Sequence, residues 1–244
     1  MNKLSDIHSH IIPRVDDGSS SMDMSLSMIE EACRQGTDII FATPHSSAFD
    51  DYGSLLIQTK FETLRYEAAE RKLPAQLYLG CEILTDTWNI ETTIEKIRND
   101  IYPTMNGTKH VLIEFDPWEE EENIIYCLKR ILEEGYLPII AHSERCNHLT
   151  LDTVERLKKE GILIQINVYS LEKEKDPEIK TKARNLVERK IVDFLGTDMH
   201  RTDHRPPVIE EGMKYLSYQQ NQKYIEDIAW KNVDRFLISQ DASR

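Results

Sequence analysis

Short apolar runs alternate with longer stretches in which apolar residues recur every three or four positions. The short runs lie at 4–8, 38–42, 76–80, 110–115, 137–141, 162–167 and 192–196 and are rich in Ile, Leu and Val. Their length and β-branched content predict seven strands. The intervening stretches predict helices at 22–34, 55–71, 121–133, 151–159 and 179–189, with further helices within 207–239. Asp16-Asp17-Gly18-Ser19 is a turn before the first of these helices, and Gly135 and Gly161 stand just past two others as stops. Residues 91–107 read as a short helix and a loop crossing the rim. Strand and helix in strict alternation are the mark of parallel βα units, so the expected architecture is an α/β fold, a distorted TIM-like (β/α)7 barrel with its active site at the C-terminal ends of the strands.

With 244 residues, 40% hydrophobic, the chain suits one domain spanning 1–244. A formal net charge of −13 argues against a broad basic surface for nucleic acid, so any anionic substrate must be caught locally. The first residues carry no apolar signal-like core, and no stretch approaches the roughly 20 apolar residues of a membrane span. A cytoplasmic protein without membrane insertion is expected. Cys33, Cys81, Cys127 and Cys146 lack a CxxC spacing, which suits reduced, buried thiols. None has an arginine six positions on, where Ile39, Thr87, Glu133 and Asp152 stand instead. A thiol-based phosphatase loop is therefore excluded.

Metal-ligand chemistry gathers at the predicted strand ends. His8 and His10 follow the first strand, His45 the second and Glu82 the third; Glu114 ends the fourth, His142 closes the fifth, and Asp198 and His200 follow the last. In a parallel barrel all these ends face one rim. Residues two apart in extended chain point to the same side, so His8 with His10, and Asp198 with His200, can chelate together. His110, His148 and His204 lack this placement.

The successive segments Asp6-Ile7-His8-Ser9-His10, Val15-Asp16-Asp17-Gly18, Ala42-Thr43-Pro44-His45, Gly80-Cys81-Glu82, Leu112-Ile113-Glu114-Phe115, Ala141-His142-Ser143-Glu144-Arg145 and Gly196-Thr197-Asp198-Met199-His200 resemble the motifs of the PHP superfamily of metal-dependent phosphoesterases. More narrowly, with Arg205-Pro206-Pro207 beyond them, they are similar to the bacterial CpsB/YwqE-type protein tyrosine phosphatases. The resemblance implies the PHP fold and three divalent metal ions, manganese by preference, with iron or zinc as alternatives. It places His8, His10 and Asp198 on the first ion, Glu82 as a bridge to a second held by Glu114 and His142, and Asp17, His45 and His200 on the third. Asp16 competes with Asp17 for that last role. The implied partner is a phosphotyrosine-bearing protein, a membrane-associated bacterial tyrosine kinase controlling capsule or exopolysaccharide synthesis.

Imidazole and carboxylate donors without thiolate suit borderline or hard divalent ions. Three such ions against four carboxylates would leave the site positive by about two charges, which is how an acidic protein can hold a phosphate ester. Arg145 and Arg205 are the candidate catalytic residues, since a guanidinium fork matches phosphate geometry. Tyr52, Trp118 and Tyr169 are aromatic candidates to flank the phenyl ring of phosphotyrosine. A small-molecule phosphoesterase such as a histidinol phosphatase is the alternative reading. An amidohydrolase-type barrel is disfavoured by Glu82 and Glu114, and a barrel that keeps metals only for stability by the openness of the ligand set.

Overall fold

The computed structural model describes residues 4–237. Eight strands are formed among them: β1 Leu4–Ser9, β2 Thr37–Ala42, β3 Gln76–Leu79, β4 Glu82–Leu84, β5 His110–Glu114, β6 Leu137–Ile140, β7 Leu163–Asn167 and β8 Phe194–Gly196. Every pairing is parallel, and the strands divide into two sheets, β1-β2-β3 and β4-β5-β6-β7-β8. Helices α1 Met22–Arg34, α2 Ser46–Tyr52, α3 Ser54–Glu70, α4 Ile90–Arg98, α5 Glu121–Glu133, α6 Leu151–Lys159 and α7 Pro177–Glu188 link the strands, and α8 Glu210–Gln219, α9 Gln222–Glu226 and α10 Asp234–Leu237 follow them.

The helices form where their caps and stripes dictate. In α1 the Ser21 hydroxyl accepts from Met24 N, and Ser25, Leu26, Met28, Ile29 and Ala32 make one buried face. In α7 Asp176 caps a helix that opens on Pro177. These faces join the strands in a core running from Leu4 to Ala229. A second apolar cluster takes other strand residues, Ile7, Phe41, Leu112, Ile139 and Phe194, and is closed by Phe236. Phe236 meets Phe194 at 5.0 Å and His110, at the start of β5, at 4.8 Å between ring centroids.

The seven-strand expectation is corrected in one place. The predicted strand at 76–80 ends at Leu79, and a separate strand, β4, starts at Glu82. A Cβ on Gly80 would lie 2.7 Å from Met105 Sδ and 3.1 Å from Thr43 Cγ2, so the chain steps sideways at the one residue small enough to pass. The two sheets meet at this step through the His45–Glu82 bridge, and again where Ser9 bridges Met199. Asp198 N donates to His8 O at 2.8 Å and His10 N to Met199 O at 2.9 Å across that second seam. Helix α2, directly after His45, falls where no helix was expected.

Candidate metal centre

Both seams lie at or just past the C-terminal ends of β1, β2, β3 and β8, and they bring the histidines and carboxylates together. Glu82 is the hub. Its Oε1 is 2.9 Å from His142 Nε2 and 3.1 Å from His8 Nε2, while Oε2 is 3.2 Å from His10 Nε2 and 3.1 Å from His45 Nδ1. Around it four donor groups overlap: His8, His10 and Asp198; His8, Glu82 and His142; His45, Glu82 and Glu114; and His10, Asp17, His45 and His200. All nine residues expected at the metal positions fall in this cluster.

Fixed partners aim the rings. His10 Nδ1 donates to Asp16 Oδ2 at 2.9 Å, His8 Nδ1 to Gln165 Oε1 at 3.3 Å, and His200 Nδ1 to the Asp198 carbonyl at 2.8 Å. Each bond occupies one ring nitrogen and leaves the other, with its lone pair, for the cluster. Asp16 is further committed by accepting from Gly18 N and His45 N. Asp17, by contrast, has an exposed side chain whose Oδ1 lies 3.4 Å from His45 Nε2 and 3.5 Å from His200 Nε2.

The donors fit cations. His8 Nε2 and His10 Nε2 face each other at 3.3 Å in a fully buried setting. Two ligands on one ion, each roughly 2.1 Å from it, are spaced in that way; without an ion a proton shared between the two nitrogens would have to take its place. Glu82 Oε2 is buried and makes no geometrically sound hydrogen bond. The electrostatics agree. Burial opposes protonation of His10, yet Asp16, Asp198 and Glu82 together hold its pKa well above the usual histidine value. Burial likewise opposes ionisation of Glu82 and Asp198, and the histidines around them hold both far below the usual carboxylate range. Burial, with His10 next, pushes His200 down to about 4, so its ring is neutral.

Arg145 and Arg205 both sit against Asp198. Arg145 is mostly buried, donating from Nη1 to Asp198 Oδ2 at 2.7 Å and from Nη2 to the Tyr169 hydroxyl at 3.2 Å. Arg205 is 43% exposed, with Nη1 3.7 Å from Asp198 Oδ2 and 3.4 Å from His200 Nε2. Arg205 is the freer of the two. His142, Asp198 and Arg205 have φ of 28°, 54° and 51°. Left-handed backbone at a residue with a side chain costs about 1 kcal/mol or more and is typical of functional sites.

Sequence reasoning missed the amides behind the ligands. Gln165 Oε1 accepts from His142 N at 2.6 Å, its Nε2 donates to Asn167 Oδ1 at 2.9 Å, and Asn167 Nδ2 donates to Asp198 Oδ2 at 3.0 Å. The available signal was two polar residues at alternate positions of an otherwise apolar strand. His110, His148 and His204 lie outside the cluster.

Fold and site together define a parallel α/β protein whose strand ends present a histidine–carboxylate cluster with the donor groups to hold metal ions. The family described as capsular polysaccharide synthesis, CpsB/CapC, matches residues 4–238, and the chain belongs to it. The tyrosine-protein phosphatase CpsB of Streptococcus agalactiae serotype III is 34% identical over 236 residues, 91% of this chain and 95% of that protein. The tyrosine-protein phosphatase YwqE of Bacillus subtilis is 29% identical over 218 residues, 86% of this chain and 83% of that protein. A solved structure from the pair YwqE of Bacillus subtilis and CpsB of Streptococcus pneumoniae, described as unique metal-dependent tyrosine phosphatases, aligns with a TM-score of 0.79 at 25% identity. That alignment covers 91% of this chain and 90% of that one.

Proposed function

We propose that the chain is a metal-dependent protein-tyrosine phosphatase acting on a phosphotyrosine-bearing protein, a membrane-associated bacterial tyrosine kinase of capsule or exopolysaccharide synthesis. The observation that carries this reading is Glu82, a buried carboxylate within 3.2 Å of four histidines and shared by two of the four overlapping donor groups. Support for the tyrosine class comes from the relatives and the aligned structure. We read the centre as three manganese ions, held by His8, His10 and Asp198; by Glu82, Glu114 and His142; and by Asp17, His45 and His200. The two bridged sheets support a distorted barrel as a single domain over 1–244. The unpaired cysteines, three of them buried, suit the cytoplasm. No helix among the described residues is long and apolar enough to cross a membrane.

Divalent ions held there would neutralise phosphoryl oxygens and supply an activated water. The chain's own groups do the rest. Asp16, Gln165 and the Asp198 carbonyl hold three imidazoles with one nitrogen facing inward. Arg145 fixes Asp198 and Arg205, partly exposed beside it, binds the phosphate and stabilises charge developing on the ester oxygen. Because burial pushes up the thiols of Cys33, Cys81, Cys127 and Cys146, the last two to about 12, no cysteine offers a nucleophile. Comparing turnover of a phosphotyrosine peptide, a phosphoserine peptide and histidinol phosphate with manganese present tests the assignment. Preference for phosphotyrosine is expected; preference for histidinol phosphate would move the chain to small-molecule chemistry.

A further inference from the structure

Beside the cluster a groove of about 410 Å³ runs from His45 and Glu114 past Leu84 and Asn89 to Tyr102. Its floor is set: Lys96 Nζ is 2.6 Å from Asp50 and 2.8 Å from the Tyr102 hydroxyl, which donates to Asp50 at 2.7 Å. Leu84 and Glu114, two of its lining residues, are the last residues of β4 and β5, and the loops that follow these two strands repeat one device.

Leu84 and Glu114 are paired in register on adjacent parallel strands. Two residues beyond each stands an aspartate, and two beyond that a tryptophan: Asp86-Thr87-Trp88 and Asp116-Pro117-Trp118. In both, the aspartate Oδ1 accepts from the tryptophan backbone N–H, at 2.7 Å and 2.8 Å. The first loop is tightened further, since Asn89 Oδ1 accepts from Thr85 Oγ1 and Asp86 N. The second is tied to the next rim loop, where Pro117 O accepts from Asn147 N. Yet Trp88 is 95% and Trp118 69% exposed. Leaving two indoles in water costs apolar burial that the fold could have taken. Holding them on hydrogen-bonded turns removes the entropy a partner would otherwise lose in ordering them.

Resting on the phosphotyrosine reading, we propose that Trp88 and Trp118 form a paired docking element for the polypeptide that carries phosphotyrosine, receiving a cationic stretch beside the modified residue. Two observations select that occupant. The two loops leave the paired strand ends Leu84 and Glu114, which line the groove beside the cluster together with Asn89 of the first loop, so a chain whose phosphate sits at the cluster has each tryptophan within four residues, along the protein chain, of that groove. Its surroundings are acidic, with Asp86, Asp116, Glu119 and Glu122 on the same loops and the start of α5, and indole faces take lysine and arginine side chains.

The test uses the manganese-loaded protein, phenyl phosphate, and two phosphotyrosine peptides differing only in lysine or glutamate at the flanking positions. The wild type should show the lower KM for the lysine peptide. The double variant Trp88→Ala/Trp118→Ala should raise that KM about tenfold or more with kcat on the peptide within about twofold, and Trp88→Ala alone should raise the same KM while leaving kcat/KM on phenyl phosphate within about twofold. Phe at both positions should recover most of the loss. Indifference of the wild type to flanking charge, or an unchanged peptide KM in the double variant, overturns the proposal. So does a parallel loss on phenyl phosphate in Trp88→Ala, which would make that indole part of the phenyl site or of its support. A wild type inert on all three substrates would instead sink the phosphatase reading itself.

Discussion

Asp16 and Asp17 show what a single position can and cannot reveal. Both carboxylates follow a histidine pair and precede a glycine, and nothing in their chemistry separates them. Three-dimensional commitments do: Asp16 spends its oxygens on His10, Gly18 N and His45 N, while Asp17 faces His45 and His200. Asp17→Asn should therefore lower bound manganese by about one equivalent. Asp16→Asn should keep the stoichiometry at saturating metal but weaken affinity by roughly 10–100-fold, the usual effect of removing a partner that orients a ligand. Elemental analysis across a manganese titration checks both, and the reverse pattern would make Asp16 the ligand. The residues of the candidate cluster were legible in the sequence because strand ends in parallel α/β folds converge. Gln165, Asn167 and the left-handed backbone at His142 and Asp198 were not, because they depend on which strands become neighbours.

Elements were legible to the extent that one strand or helix carries its own pattern. The predicted helices 22–34, 121–133 and 151–159 coincide with α1, α5 and α6, each an amphipathic segment bounded by caps or glycine. The step between β3 and β4 escaped because its cause is the close approach of Met105 and Thr43 to Gly80. Gly196 is a second such contact: a Cβ there would meet His8 Cβ at 2.7 Å and Gln165 Nε2 at 2.9 Å. At the start of β5, His110 packs on Phe236 from the final described turn. Burial, with Arg235 adding to it, pushes its pKa down to about 4 from an unfolded value near 6.5. The neutral ring is thus the form the fold accepts. This contribution is fully present above about pH 6.5 and is lost as pH falls toward 4. Between pH 7 and 5, metal-free wild type should lose about 2 kcal/mol more stability than His110→Phe, read from urea unfolding midpoints. Equal losses would show that His110 protonates freely in the fold.

The whole molecule reconciles two facts that oppose each other at first reading, a net charge of −13 and a substrate carrying a phosphate. Four carboxylates, Asp17, Glu82, Glu114 and Asp198, belong to the donor groups that could hold cations, so on the proposed reading the charge presented to substrate depends on occupancy of the cluster. Protons compete for the same donors, since the carboxylates raise His10 and the histidines lower Glu82 and Asp198. Metal binding should accordingly release protons and tighten as pH rises. The most direct measurement follows one preparation through removal and return of metal, with elemental analysis and phosphotyrosine-peptide turnover read on the same sample. Turnover should fall to background as bound metal is stripped by a chelator and return with added manganese in step with occupancy. Full turnover by protein shown to be metal-free would contradict the central claim.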